Sequence, residues 1–161
     1  MRAVLFSDAH LPLEEGPEAA HLCGWLESLE ADRICILGDL FDVCWSFGGW
    51  SPPAWEGLFR TFALLQRRGV ELVFVGGNRD FAMGGLLESR LGLPLHGPHV
   101  LDFDGLRLCL AHGDEADPSR GYRLLRTLIR SSGFDGLVRA LGPRRGLRLL
   151  RMLASGSRKA P

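Results

Sequence analysis

An α/β fold built on a parallel sheet is predicted by three observations. Apolar runs at 3–6, 34–37 and 72–75 suit buried strands, segments of helical period lie between them, and a polar cluster directly follows each run. Open α/β sheets build their sites in this way, from residues at the carboxyl ends of strands.

Taken in order, the sequence predicts a strand over 2–6, a helix over 16–30, a strand over 33–37, an aromatic loop, a helix over 53–68 and a strand over 71–75. This βαβαβ order requires parallel pairing. A short helical piece follows over 81–90. Apolar runs at 100–103 and 106–110 then flank Asp104-Gly105, the residue pair of a tight hairpin, so the sheet is expected to become mixed here. From Pro118 the leucine and arginine spacing is helical, with breaks at Gly133 and at Gly142-Pro143, giving two or three helices that the polar stretch 155–161 stops. There is no internal repeat, and no linker is rich enough to split domains.

With 161 residues, 46% hydrophobic and 24% charged, the chain has the material for one globular domain, which sets disorder aside. No apolar run suits a membrane span, and the amino terminus enters a strand directly, so a cytoplasmic protein is expected. Cys23, Cys35, Cys44 and Cys109 form no CxxC pair, and two of them fall inside predicted core strands, where they read as reduced structural thiols. A formal net charge of zero hides a division: residues 118–161 hold 11 of the 19 Lys and Arg but a single acid, Asp135. An acidic first part suits cations, and an arginine-rich last part suits phosphates or an anionic surface. The simpler reading of those arginines is the solvated face of amphipathic helices. Nucleic-acid binding is disfavoured, because the arginines alternate with leucines and not with base-reading or stacking residues.

The chemistry lies in four clusters: Asp8-Ala9-His10, Gly38-Asp39-Leu40-Phe41-Asp42, Gly76-Gly77-Asn78-Arg79-Asp80 and Ala111-His112-Gly113-Asp114. In an extended segment Asp8 and His10 leave on one face and can grip one cation. Asp39, preceded by glycine, can reach into a cleft and bridge two metals, with Asp42 or Phe41 supporting the turn, while Asn78 and His112 complete a second centre. Asp, His and Asn donors together favour Mn²⁺, Fe²⁺ or Zn²⁺ over Ca²⁺. Two cations about 3.5–4 Å apart would bind a phosphoryl group and acidify a bridging water. Arg79 is placed to hold the same phosphate through its fork of donors. Each cluster alone reads as a turn or helix cap; four in this order at strand ends read as one metal site.

The series DxH, GDxxD, GNxD and HGD resembles the calcineurin-like metallophosphoesterases. Within them, GNRDF at 77–81, HGD at 112–114 with Asp117 and Tyr122 after it, and the arginine-rich helices are similar to the UDP-2,3-diacylglucosamine hydrolases of the lipid A pathway. The resemblance implies a metallophosphoesterase sandwich with a helical cap, a core over 1–116 and a cap over 117–161 within the same domain. It implies one metal on Asp8, His10 and Asp39 and another on Asp39, Asn78 and His112, with Mn²⁺ favoured. Asp39, Asn78, Arg79 and His112 would carry the reaction, and Arg79, Asp117, Tyr122, Arg123 and Arg126 would face substrate. The implied substrate is an anionic lipid-linked nucleotide, UDP-2,3-diacylglucosamine, cleaved to UMP and a lipid monophosphate.

That family continues past the cap to a GHxH segment, whose histidines add a ligand to each metal, and to further strands. The chain ends first, so a fragment of a longer protein or a shortened form with a depleted site is expected, weak in metal binding and slow in turnover. His21, His96 and His99 read as surface or loop residues. The aromatic group Trp45, Phe47, Trp50 and Trp55 either packs the adjacent helix or lines an acyl or nucleobase pocket. Arg139, Arg144, Arg145, Arg148 and Arg151 alternate with leucines as in a helix lying on the cytoplasmic face of the inner membrane. Two alternatives are a phosphoesterase acting on another phosphodiester and a non-catalytic module that binds nucleotide or membrane. Nothing in the sequence sets an oligomeric state.

Overall fold

Three apolar runs become the parallel strands β1 (Ala3–Phe6), β2 (Arg33–Leu37) and β3 (Glu71–Val75). The computed structural model describes residues 1–157, with helices α1 (Pro17–Ser28), α2 (Glu56–Arg67), α3 (Gly84–Leu91), α4 (Arg120–Ile129) and α5 (Ser132–Ser157). A two-residue strand, β4 (Leu95–His96), completes a parallel sheet of order β1-β2-β3-β4. Strands β5 (His99–Phe103) and β6 (Leu106–Leu110) form a separate antiparallel pair.

Strand alternation decides the layering. Ile34 and Ile36 of β2 with Leu72 and Phe74 of β3 pack beneath Leu26 of α1 and Leu58, Phe62 and Leu65 of α2. Cys35, Val73 and Val75 point the other way and meet Leu101 and Leu110 of the hairpin. The sheet is thus covered by helices on one face and by β5 and β6 on the other. The expected mixed sheet does not form, because β4 takes the hydrogen-bonding edge of β3 and leaves the hairpin to stack on the apolar face. The hairpin turn itself is as expected: Asp104 (φ 47) and Gly105 (φ 82) both adopt the left-handed conformation that a two-residue turn of this kind requires.

Several details depart from the sequence reading. Cys109 is exposed, since Leu108 and Leu110 on either side of it take the inward positions of β6, whereas Cys35 and Cys44 are buried. His96 and His99 belong to β4 and β5, half-buried with rings 4.1 Å apart, and not to a loop. Burial and the neighbouring His99 lower the pKa of His96. The break between α4 and α5 falls at Arg130-Ser131 and not at Gly133. Ser131 Oγ accepts the Phe134 N–H at 3.3 Å, a hydroxyl cap that starts the helix earlier. The second expected break is present as a kink at Gly142 (φ 73), just before Pro143. Helix α5 is helical through Ser157, three residues into the polar stretch 155–161 expected to stop it, and residues 158–161 of the predicted cap lie outside the described residues.

Both limbs of α5 meet the sheet-bearing part: Val138 before the kink and Leu147 and Leu150 after it are buried against Val43 and Trp45. Trp55 is buried, stacked on Phe41 at 3.8 Å, and its indole N–H donates to the Pro12 carbonyl at 2.8 Å. Phe74→Ala should cost about 3–5 kcal/mol in urea unfolding by emptying the layer between sheet and helices. Val100→Ala, on the outer face of the hairpin, should stay within about 0.5 kcal/mol.

Candidate metal centre

The short segment that ends β2 gathers all four polar loops. The chain after β1 runs beside it, with Asp8 N–H donating to Gly38 O (3.1 Å), His10 N–H to Asp39 O (3.0 Å) and Leu11 N–H to Leu40 O (2.9 Å). The loop after β3 is tied in by Asp80, a buried carboxylate that accepts from Gly77 N and Leu40 N, each at 2.8 Å. Desolvation raises the pKa of Asp80 despite these bonds. The loop after β6 is fixed by His112, whose Nδ1 lies 2.8 Å from the Leu37 carbonyl. That bond assigns the proton to Nδ1 and leaves the Nε2 lone pair facing the cleft.

This tethering has a conformational cost. Asp8 (φ 55), His10 (φ 46) and Asp39 (φ 53) all sit in the left-handed region, at about 1 kcal/mol or more each, and so Asp8 and His10 converge through a folded turn and not through the extended segment expected. Two glycines permit the close approach. A Cβ on Gly38 would lie 2.7 Å from Gly77 and from His112 Nδ1, and one on Gly77 would lie 2.2 Å from Asp39 Oδ1.

The result is a carboxylate with a different imidazole on each oxygen. Asp39 Oδ1 lies 3.6 Å from His112 Nε2, and Oδ2 lies 3.9 Å from His10 Nε2, which is itself 3.7 Å from Asp8 Oδ1. Donor atoms of Asp8, Asp39 and His112 fall within 4.8 Å of one another. Burial raises the pKa of Asp39, outweighing the Arg79 backbone N–H and the nearby His112, His10 and Arg79. Burial pulls His112 down, but the Leu37 carbonyl and the carboxylates of Asp39, Asp8 and Asp114 leave its pKa raised. Nδ1 of His10 is buried without a hydrogen-bond partner. A desolvated carboxylate between two imidazoles fits a divalent cation, which supplies the charge that water no longer does.

Asn78 lies in the loop that Asp80 ties to Leu40, and its side chain shares a hydrogen bond with Tyr122. Tyr122 also donates to Asp114 Oδ2 at 2.9 Å, and burial together with that bond pushes its pKa up to about 12. Arg126 (3.2 Å) and Arg130 (3.9 Å) meet the same Asp114 oxygen, so α4 is pinned to the His112 loop. Beside the metal-type donors a cavity of about 330 Å³ opens, with Asn78, Arg79, Asp117, Tyr122, Arg126 and Arg130 contributing polar groups and Trp45, Phe81, Leu125, Ile129 and Leu150 an apolar wall. Trp45 therefore packs α5 and lines the cavity at once. Arg123 is exposed on the other side of α4 and is not among the lining residues. Asp80 and Asp114 belong to the polar clusters of the sequence but carry no individual role there, and Arg130 is not among the residues the sequence points to. The four-residue step from Tyr122 through Arg126 to Arg130, one face of a helix, is the signal that would have found Arg130.

Because the folded-state pKa of Asp39 lies above its unfolded value, its ionisation opposes folding. That penalty is absent below the unfolded pKa and grows as pH rises through the folded pKa. In the presence of a chelator, Asp39→Asn should therefore raise the melting temperature at pH 7, by a margin that shrinks toward pH 4, as read by differential scanning calorimetry.

No family model matches the chain. Among curated proteins it is 36% identical over 134 residues to the UDP-2,3-diacylglucosamine hydrolase of Aeromonas salmonicida (strain A449), covering 81% of this chain and 52% of that protein. The enzyme of the same name from Stutzerimonas stutzeri (strain A1501) is 34% identical over 134 residues, 80% of this chain and 55% of the relative. That of Escherichia coli O157:H7 is 30% identical over 145 residues, 88% and 60% respectively. The chain spans about half the length of the curated relatives it matches. Over that span it is a homologue of the UDP-2,3-diacylglucosamine hydrolases.

Proposed function

We propose that this chain is a metal-dependent hydrolase that cleaves the phosphoanhydride of UDP-2,3-diacylglucosamine to UMP and the lipid monophosphate. The observation that carries the reading is Asp39, whose two oxygens face different imidazoles in a site that adjoins a cationic and apolar cavity. The names of the homologues supply the substrate. The helix-covered sheet and the face-stacked hairpin support a metallophosphoesterase sandwich, with residues 1–116 as core and the helices after Asp117 as cap.

Asp8, His10 and Asp39 would hold one divalent cation, and Asp39, Asn78 and His112 the other, with Mn²⁺ favoured by the mixed carboxylate, amide and imidazole donors. When bound, such ions supply charge that neutralises phosphoryl oxygens and lowers the pKa of water. The protein's own groups do the rest. Hydrolysis forms a P–O bond to the oxygen of water, breaks the anhydride P–O bond and leaves more negative charge than it began with. Arg79, Arg126 and Arg130 line the cavity where that charge builds up. Tyr122, whose raised pKa keeps it protonated at neutral pH, donates its one proton to Asp114 and accepts from the Asn78 amide, so that it orients both. Trp45, Phe81, Leu125, Ile129 and Leu150 offer an apolar surface for acyl chains and exclude water.

No helix among the described residues is long and apolar enough to cross a membrane. The cap nevertheless exposes Leu124 (73%) and Leu128 (58%) together with Arg144, Arg145 and Arg148, a composition suited to an anionic bilayer surface where a lipid substrate is collected.

Purified chain should release UMP from UDP-2,3-diacylglucosamine in a Mn²⁺-dependent manner, and Asp39→Ala should reduce the rate to background. Release that survives in Asp39→Ala would remove the dinuclear reading. In liposome flotation, reversing Arg144, Arg145 and Arg148 to Glu should weaken binding to anionic vesicles by roughly a hundredfold or more, at about 1 kcal/mol per basic residue. Unchanged flotation would remove the membrane role.

A further inference from the structure

Arg79 turns its guanidinium back onto the centre. Its Nε lies 3.4 Å from Asp39 Oδ2, the oxygen that His10 faces, and its own backbone N–H donates to Asp39 Oδ1 at 3.0 Å. Its Nη1 meets Asp42 Oδ1 at 3.2 Å and the Asp42 carbonyl at 3.3 Å. One cation is therefore shared between two carboxylates, of which Asp39 is nearly out of water and Asp42 largely so. Asp42 is in turn held from α5, where Arg151 Nε lies 3.9 Å from Asp42 Oδ2 while its Nη1 is paired with Glu14. Three links, from Arg151 to Asp42, to Arg79 and to Asp39, join the last helix to the carboxylate at the heart of the site.

Two positive groups cannot both take full advantage of Asp39 Oδ2. A divalent cation at Asp8, His10 and Asp39 would repel a guanidinium placed 3.4 Å from the same oxygen, and the acceptors already beside Arg79 are those of Asp42. We propose that Arg79 is an internal counter-ion that competes with a divalent cation for Asp39, and that Asp42 is the positioning residue that draws Arg79 away from that competition. The inference rests on the reading of Asp39 as a metal ligand. Asp42 does not bind the metal; it sets the affinity by setting where Arg79 stands.

The test is a double-mutant cycle read by direct Mn²⁺ binding, using calorimetry or electron paramagnetic resonance at fixed pH and salt, with circular dichroism to confirm folding. Asp42→Asn should weaken Mn²⁺ binding about tenfold, the size usual for a residue that positions a ligand's neighbour. Arg79→Gln should tighten binding several-fold, and the double variant should bind as Arg79→Gln alone does. Should Asp42→Asn cost as much affinity in the Arg79→Gln background as in the parent, Asp42 acts only as a nearby negative charge and the proposal falls. Arg79→Gln binding no tighter than the parent also overturns it, independently of how Asp42→Asn folds. If the unaltered chain binds no Mn²⁺, it is the metal reading that fails, and this inference with it.

Discussion

The turn at the end of β2 is the constraint on which the remainder of the structure depends. Leu37 accepts from His112, Gly38 and Asp39 accept from the chain after β1, and Leu40 donates to Asp80 of the loop after β3. Within these bonds Asp39 holds a left-handed backbone and an almost fully buried carboxylate, two unfavourable states that persist because neighbouring elements enforce them. Absent side chains at Gly38 and Gly77 make room for the approach. Strain and desolvation at one residue thus convert a regular parallel sheet into a convergent set of donors.

Much of this was legible from residue order. Apolar runs of four residues, followed by Ser7-Asp8, Gly38-Asp39 and Gly76-Gly77, marked β1, β2 and β3, and the parallel register then had to bring their following loops to one edge. Less visible was anything decided by competition between elements. The sheet status of the hairpin turned on two residues, Leu95 and His96, whose pairing with β3 no local pattern announces. The start of α5 turned on the Ser131 hydroxyl, and the exposure of Cys109 on which alternate residues of β6 found an apolar partner. In the site, residue types pointed to donors. They did not reveal the folded turn at Asp8 and His10, or that Asp80 and Asp114 would be buried and spent on holding loops and helices.

Charge division along the sequence also acquires a structural meaning. The acidic first part and the arginine-rich last part meet at Asp114, which gathers Tyr122, Arg126 and Arg130, and at Asp42, which meets Arg79 and Arg151. These contacts are partly shielded from water, where an ion pair keeps more of its strength than on an open surface. Arg130 is further braced on the Phe81 ring at 4.6 Å. The arginines of the two carboxyl-terminal helices accordingly divide into those turned to the cavity and those left on the outer surface, a distinction invisible in a count.

Trp45 stands at this seam. Its ring meets Phe81 edge-on at 5.4 Å and Phe134 at 5.8 Å, and its indole N–H donates to Asp135 at 3.0 Å, so its surroundings come from both sides of the junction. An indole whose hydrogen bond and aromatic neighbours depend on the seating of α5 is a built-in fluorophore for that seating. With Trp25, Trp50 and Trp55 replaced by Phe, its emission would shift to the red as the helix lifts and water reaches the ring, giving an optical record of that seating that needs no substrate and no label.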